Sequence, residues 1–261
     1  MSSHEFELKN VTVRFPSVTA LDNISLTIGT GEQIALVGPS GSGKTTLLRL
    51  FNGTIRPSSG CVRVSQVDTR ELSSLQLRQL RSQIGFVHQD LSLVPNLNVL
   101  QNVLSGRMGR ESFVQSLRMT LLPISSETAN VHQLLERVGI EDKLYTRTDK
   151  LSGGQQQRVA IARALYQQPE AILADEPVSS VDPARANDTI GLLTKICRND
   201  NLTMCVSLHN LDLARKFFPR LIGLREGAIV FDRQTSELDD DEFHRLYQLT
   251  EEEMLPDRVE S

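Results

Sequence analysis

Apolar residues in the first thirty positions fall in near alternation: Phe6, Leu8, Val11, Val13 and Phe15, then Leu21, Ile24, Leu26 and Ile28. A period of two puts such residues on one face of a pleated chain, so 6–15 and 21–28 read as half-buried strands. At 34–37 the pattern changes to a continuous apolar run ending at Gly38, and Leu47, Leu48, Leu50 and Phe51 follow at helical spacing. A buried strand, a glycine-rich turn and a helix are expected there in that order. A strand at 61–67, a helix at 75–80 and a strand at 84–87 come next. Between 91 and 150 only helical spacing appears, at 97–104, 113–122 and 131–138, the last with Val131, Leu134, Leu135 and Val138 at i, i+3, i+4 and i+7. Sheet and helix then alternate again, with strand 171–174, helix 183–198, strand 203–208 and a hairpin over 221–231 turning at Glu226-Gly227.

Composition narrows the class without choosing the chemistry. Twenty-eight basic against 32 acidic side chains leave a net charge of −4, which gives no general attraction to nucleic acid or to an anionic membrane, and no nucleic-acid partner is expected. Cys61, Cys197 and Cys205 form no metal-binding spacing and read as small buried hydrophobes in a reducing compartment. The start of the chain carries Glu5, Glu7 and Lys9 where a signal peptide needs an apolar stretch, and no window approaches a membrane span. A cytoplasmic protein is expected, held at any membrane by another subunit. The stretch after Thr235 is rich in Asp and Glu and reads as a short, solvated acidic tail over 236–261.

Gly38-Pro39-Ser40-Gly41-Ser42-Gly43-Lys44-Thr45 satisfies G-x-x-x-x-G-K-[ST] at every fixed position, between a predicted strand and a predicted helix. Glycines let successive backbone N–H groups converge on phosphate oxygens, and the helix that follows points its positive end at them. Lys44 adds a point charge near the β- and γ-phosphates, the Thr45 hydroxyl can ligate Mg²⁺, and Thr46 extends the cradle. Asp175 and Glu176 follow the apolar strand 171–174, at the carboxyl edge where open α/β sheets bind ligands. Asp175 is the direct or indirect partner of Mg²⁺, and Glu176 is placed to polarise the water that attacks the γ-phosphate.

Leu151-Ser152-Gly153-Gly154-Gln155 opens an Ala-rich helix. Ser152 and Gln155 make a Ser-x-x-Gln capping box, but two glycines in a first turn each cost up to about 1 kcal/mol relative to alanine, and a capping box does not account for them. A second anion site at this helix end does.

With this motif the chain resembles the nucleotide-binding subunit of ATP-binding cassette (ABC) transporters, over about residues 5–235. The resemblance and the element order imply an α/β fold: a P-loop ATPase core with a parallel sheet, an N-terminal antiparallel β subdomain, and a helical subdomain inserted at about 91–150 in a single domain over 1–235. The resemblance implies two copies paired head to tail, each ATP lying between the phosphate loop of one and Ser152, Gly153, Gly154 and Gln155 of the other. Gln89 matches the glutamine that senses Mg²⁺ and the attacking water and links to the membrane subunit. Ser180-Val181-Asp182-Pro183 matches the loop after the acidic pair, with valine in place of the usual leucine, and Asp182 and Pro183 are also good N-cap and N1 residues. His209 matches the switch histidine that contacts the γ-phosphate. Phe15 stands where the family usually has a tyrosine stacked on adenine.

A cassette without membrane spans resembles the separate ATPase of a bacterial uptake system, although single-cassette exporters and lipoprotein-releasing systems share the layout. The string DLSLVPNLNVLQNVLSGR at 90–107 resembles phosphonate-import ATPases, and 206–214 and 222–225 point the same way. The resemblance therefore implies an ATP hydrolase on the cytoplasmic face of the inner membrane. It would be coupled to permease subunits and indirectly to a solute-binding protein, and would serve phosphonate, phosphite or phosphate uptake. A soluble ABC ATPase acting on ribosomes or DNA, or an adaptor that binds ATP without turnover, are the competing classes.

Overall fold

The computed structural model describes residues 4–179, 181–239, 242, 246 and 247. Ser180 and most of the acidic tail at 236–261 lie outside them. In chain order the elements are β1 (His4–Phe15), β2 (Val18–Gly29), β3 (Gln33–Val37), α1 (Lys44–Phe51), β4 (Ser59–Val64), β5 (Val67–Asp68), α2 (Ser74–Ser82), β6 (Ile84–Val87), α3 (Val99–Leu104), α4 (Phe113–Leu121), α5 (Ser125–Val138), α6 (Gly153–Tyr166), β7 (Ala171–Asp175), α7 (Pro183–Asn199), β8 (Thr203–Leu208), α8 (Leu211–Phe217), β9 (Arg220–Arg225) and β10 (Ala228–Gln234).

Two sheets form. Strands β2-β1-β4-β5 make an antiparallel sheet, and β10-β9-β3-β8-β7-β6 make a sheet in which every neighbouring pair from β9 to β6 is parallel. Every residue of β3, β7 and β8 is buried, as the unbroken apolar runs require of strands covered on both faces. The pleat divides them. Ile34, Leu36, Leu173 and Cys205 pack with α1 and the antiparallel sheet, whereas Ala35, Val37, Ala174 and Val206 pack with α6 and α7. Helix α1 thus lies between the two sheets, and its Leu47, Leu48, Leu50 and Phe51 are buried there at roughly 1.5–3 kcal/mol each. The strand that leads into the phosphate loop is therefore interior to its sheet and buried along its whole length.

Three differences from the sequence expectations have physical causes. The stretch 61–67 is a hairpin rather than one strand: Ser65 and Gln66 both take positive φ and pair Val64 with Val67, in a turn that lacks the Asn-Gly signal of its type. Helix α5 starts at Ser125, because its first turn is polar and its apolar stripe begins only at Val131. Helix α8 was not expected from periodicity, being seven residues long; the Asn210 side chain accepts the Leu213 N–H at its start, and Leu213 and Ala214 anchor it. In addition, Leu246, within the acidic stretch, is fully buried in the core.

The loop after β6 carries Gln89. Leu91 and Ser92 both have positive φ, and Arg163 of α6 ties them down by donating to their carbonyls at 2.8 and 2.5 Å. Further on, the fully buried Asn102 amide donates to the Val94 carbonyl at 3.1 Å and accepts the Val94 N–H at 2.8 Å, while Thr148 donates to the same carbonyl at 2.9 Å. Replacing Asn102 with alanine removes the acceptor of the Val94 N–H and leaves the Val94 carbonyl to Thr148 alone. The expected cost is about 1–3 kcal/mol, read as a lower urea midpoint with an unchanged m-value.

Candidate functional site

The chain leaves β3 at Val37 and turns through Gly38 to Gly43 into α1. Gly43 has φ of 104°, and a Cβ there would meet the Ala20 carbonyl at 2.6 Å, so only glycine fits the turn. Gly41, at φ 80°, has no atom within 4 Å of the position of a Cβ, which leaves the loop open on that side. The β9–β10 turn braces the loop from behind, its Gly227 N–H donating to the Ser42 carbonyl at 3.2 Å.

Lys44 is 4% exposed and donates to the carbonyls of Gly38 and Pro39 at 2.8 and 2.9 Å. Burial pulls its pKa below the ordinary lysine value, with Glu176 and Asp175 pulling the other way. The Ser42 hydroxyl is buried with no hydrogen-bond partner among the described residues. A buried cation and an orphan hydroxyl beside an open backbone cradle suit a polyanion such as the phosphates of a nucleotide.

Asp175, at the end of β7, is 7% exposed. Its Oδ1 accepts from the Thr45 hydroxyl at 3.0 Å and from the Ser207 hydroxyl at 2.8 Å. Ser207 in turn accepts the Glu176 N–H at 2.9 Å. Glu176 has φ of 46°, a left-handed turn that breaks the strand direction, and its Oε1 pairs with Nε2 of His209. Three segments distant in sequence thus meet through one hydrogen-bonded chain. The donor set of hydroxyl, carboxylate and the Gln89 amide is all oxygen, as Mg²⁺ prefers. Among the described residues no cluster of three or more His, Cys, Asp or Glu offers an all-protein cage, so the fit is to an ion shared with substrate phosphates.

One cavity collects Ser40, Gly41, Ser42, Gly43, Lys44, Thr45, Thr46, Gln89, Glu176 and His209, with Ala20 on its wall. Phe15 does not line it. That ring stands at the β1–β2 turn, 42% exposed, on the hairpin whose second strand supplies Ala20. Nor do Ser152, Gly153, Gly154, Gln155 and Asp182 line it. Ser152 caps α6, accepting the Gln155 N–H while Gln155 Oε1 accepts the Ser152 N–H at 3.0 Å, so the capping box forms. No atom lies within 4 Å of a Cβ built on Gly153, and only Arg185 Cδ, at 3.9 Å, approaches one on Gly154. Packing within this chain therefore does not demand these glycines. Asp182 caps α7 by accepting the Arg185 N–H at 3.1 Å, with Pro183 at N1. Sequence reasoning missed Ser207, whose signal was a hydroxyl inside an otherwise buried strand, and Ala20, which had none.

Comparison with known proteins agrees with this geometry. A family model described as ABC transporter matches residues 21–179. The chain is 44% identical over 242 residues to the phosphonates import ATP-binding protein PhnC of Thiobacillus denitrificans, covering 92% of each. It is 47% identical over 243 residues to the protein of that name from Nocardia farcinica, covering 92% of this chain and 89% of the other. Among solved structures, a dimer of the ATP-binding cassette MJ0796 in a post-hydrolysis state with ADP and Pi superposes with a TM-score of 0.75 at 33% identity, covering 88% of this chain and 98% of that one. CbiO1 of Clostridium perfringens, part of an ABC transporter complex, gives 0.79 at 27% identity, covering 93% and 94%. By sequence and by fold, the chain belongs to the ABC transporter family, as one of its ATP-binding, ATP-hydrolysing cassettes.

Proposed function

We propose that two copies of this chain close head to tail on two molecules of MgATP and, by closing and opening, drive a permease that imports a phosphonate or a related phosphorus oxyanion. The observation that carries the ATPase reading is the single cavity shared by Lys44, Thr45, Gln89, Glu176 and His209. The solute class rests on relatives at 42–47% identity that are phosphonates import ATP-binding proteins.

In this reading the backbone N–H groups from Gly41 to Thr46 and the Lys44 ammonium hold the β- and γ-phosphates, with Gly38, Pro39 and Ser40 shaping the entry. Phe15 stacks on the adenine. Bound Mg²⁺ supplies charge neutralisation on the phosphate oxygens. Thr45 and Gln89 are the groups that would hold it, with Asp175 fixing the Thr45 hydroxyl. Glu176 accepts a proton from water as that water attacks, and His209 orients the Glu176 carboxylate and meets the γ-phosphate. Ser152, Gly153, Gly154 and Gln155 complete the site of the other copy, where the open space over the two glycines admits an anion. Asp182 lies at the same seam. The whole of 1–235 acts as one domain, with 91–150 inserted, on the cytoplasmic face of the inner membrane. The segment after Gln89 would dock the permease, and a solute-binding protein delivers the cargo.

Three outcomes test this reading. Glu176→Gln should lower the steady-state ATPase rate by roughly 10²–10⁴-fold while leaving ATP binding intact, as read by phosphate release beside equilibrium binding. Gly154→Asp fills the open space with a carboxylate; ATP affinity of the isolated copy should stay as it is while turnover collapses, whereas a site complete within one chain would lose neither. In liposomes with permease and binding protein, ATP hydrolysis should rise on adding a phosphonate or phosphite, and stimulation only by an unrelated solute would sink the proposed cargo.

A further inference from the structure

The first residue of the phosphate loop is held by the far end of the chain. Gly38 donates its N–H to the Tyr247 hydroxyl at 3.1 Å, a contact between residues 209 positions apart. Tyr247 is half-buried against the core cluster on the helical face of the parallel sheet, next to the fully buried Leu246. The Leu246 carbonyl in turn accepts from Arg225 Nη1 at 3.3 Å. No side chain fits at Gly38, because a Cβ there would lie 2.0 Å from the Leu224 carbonyl. Its own carbonyl accepts from Lys44 Nζ at 2.8 Å. The backbone at Gly38 thus lies against strand β9, bonds to the tyrosine, and is also the seat of the lysine that the loop offers to phosphate.

A buried backbone N–H must have a partner, and at Gly38 the strand ladder that satisfies its neighbours has ended. The phenol meets that need at the first residue of the phosphate loop. Burial pushes the Tyr247 phenol above its ordinary pKa, so it stays protonated and neutral beside the loop.

We propose that Tyr247 is a positioning residue for nucleotide binding: its hydroxyl, through Gly38, sets the loop and the Lys44 ammonium in the geometry that accepts phosphate. The acidic C-terminal stretch therefore contributes to the ATP site of its own chain. This rests on the nucleotide site described above and does not involve the identity of the cargo. A loop held in its binding geometry loses less freedom when the ligand arrives, and that difference appears as affinity.

The test is calorimetric titration of the full-length chain with MgADP, which reports the phosphate loop without turnover. Tyr247→Phe keeps the ring and its packing but removes the hydroxyl. The Kd for MgADP should rise roughly threefold to tenfold, the loss of one hydrogen bond. KM for ATP should rise in parallel while kcat is kept, and the unfolding temperature should move by no more than a few degrees. An unchanged Kd in Tyr247→Phe, with or without a change in stability, would overturn the proposal and leave Tyr247 a packing residue. A variant that loses stability and affinity together would be checked against Val131→Ala, a change in the same core cluster on α5, which does not line the nucleotide cavity. Equal affinity losses in the two would overturn the proposal, and a loss confined to Tyr247→Phe would uphold it. Absence of MgADP binding by the unaltered chain would overturn the nucleotide site, and this inference with it.

Discussion

The site depends on one buried carboxylate. Asp175 ends a strand of the parallel sheet that is buried along its whole length and receives two hydroxyls, from Thr45 at the start of α1 and from Ser207 on β8. Without it, the phosphate loop and the strand leading to His209 would have no direct polar link at that point. The cost of burying a charge is met here by charge-assisted hydrogen bonds, and the same bonds fix the Thr45 oxygen and, through Ser207, the Glu176 backbone. The carboxylate thus organises the groups around the phosphates while being mostly closed off from the cavity itself.

Parallel order makes this possible. Strands β3, β7 and β8 are neighbours in one sheet and run the same way, so their carboxyl ends deliver Gly38, Asp175 and His209 to one edge. The antiparallel sheet and the β9–β10 turn then press on the loop from behind through Ala20 and Gly227. What the chain does not provide at that cavity is the helix end with two glycines. The capping box satisfies Ser152 and Gln155 locally, and the space above Gly153 and Gly154 stays open. Two glycines in a first turn are costly to the helix and idle in its packing, and the proposed two-copy site is what would use them.

The chemistry was legible in the sequence where it coincides with strong local patterns. The apolar runs at 34–37, 171–174 and 203–208 are all central strands, and the chemical residues follow each of them directly. The turn at Glu226-Gly227 was legible through its glycine, whereas the equivalent turn at Ser65-Gln66 was not, because neither residue advertises a positive φ. Helix α8 was too short for periodicity to distinguish. The acidic stretch hid Leu246 and Tyr247, two apolar-bodied residues among charges: Leu246 is buried in the core, and Tyr247 bonds to a residue 209 positions away. Such long-range partners leave no spacing in the sequence. Phe15 shows the converse case: alternation groups it with the buried residues of its strand, and the structure leaves its ring 42% exposed.

The central claim is that the active site is built by two copies and not by one. The most direct measurement is the specific ATPase activity of the purified chain as a function of its own concentration, at saturating MgATP. The account predicts a specific activity that rises with protein concentration and levels off as the dimer saturates. A specific activity that stays constant on dilution to concentrations where the chain sediments as a monomer would contradict it.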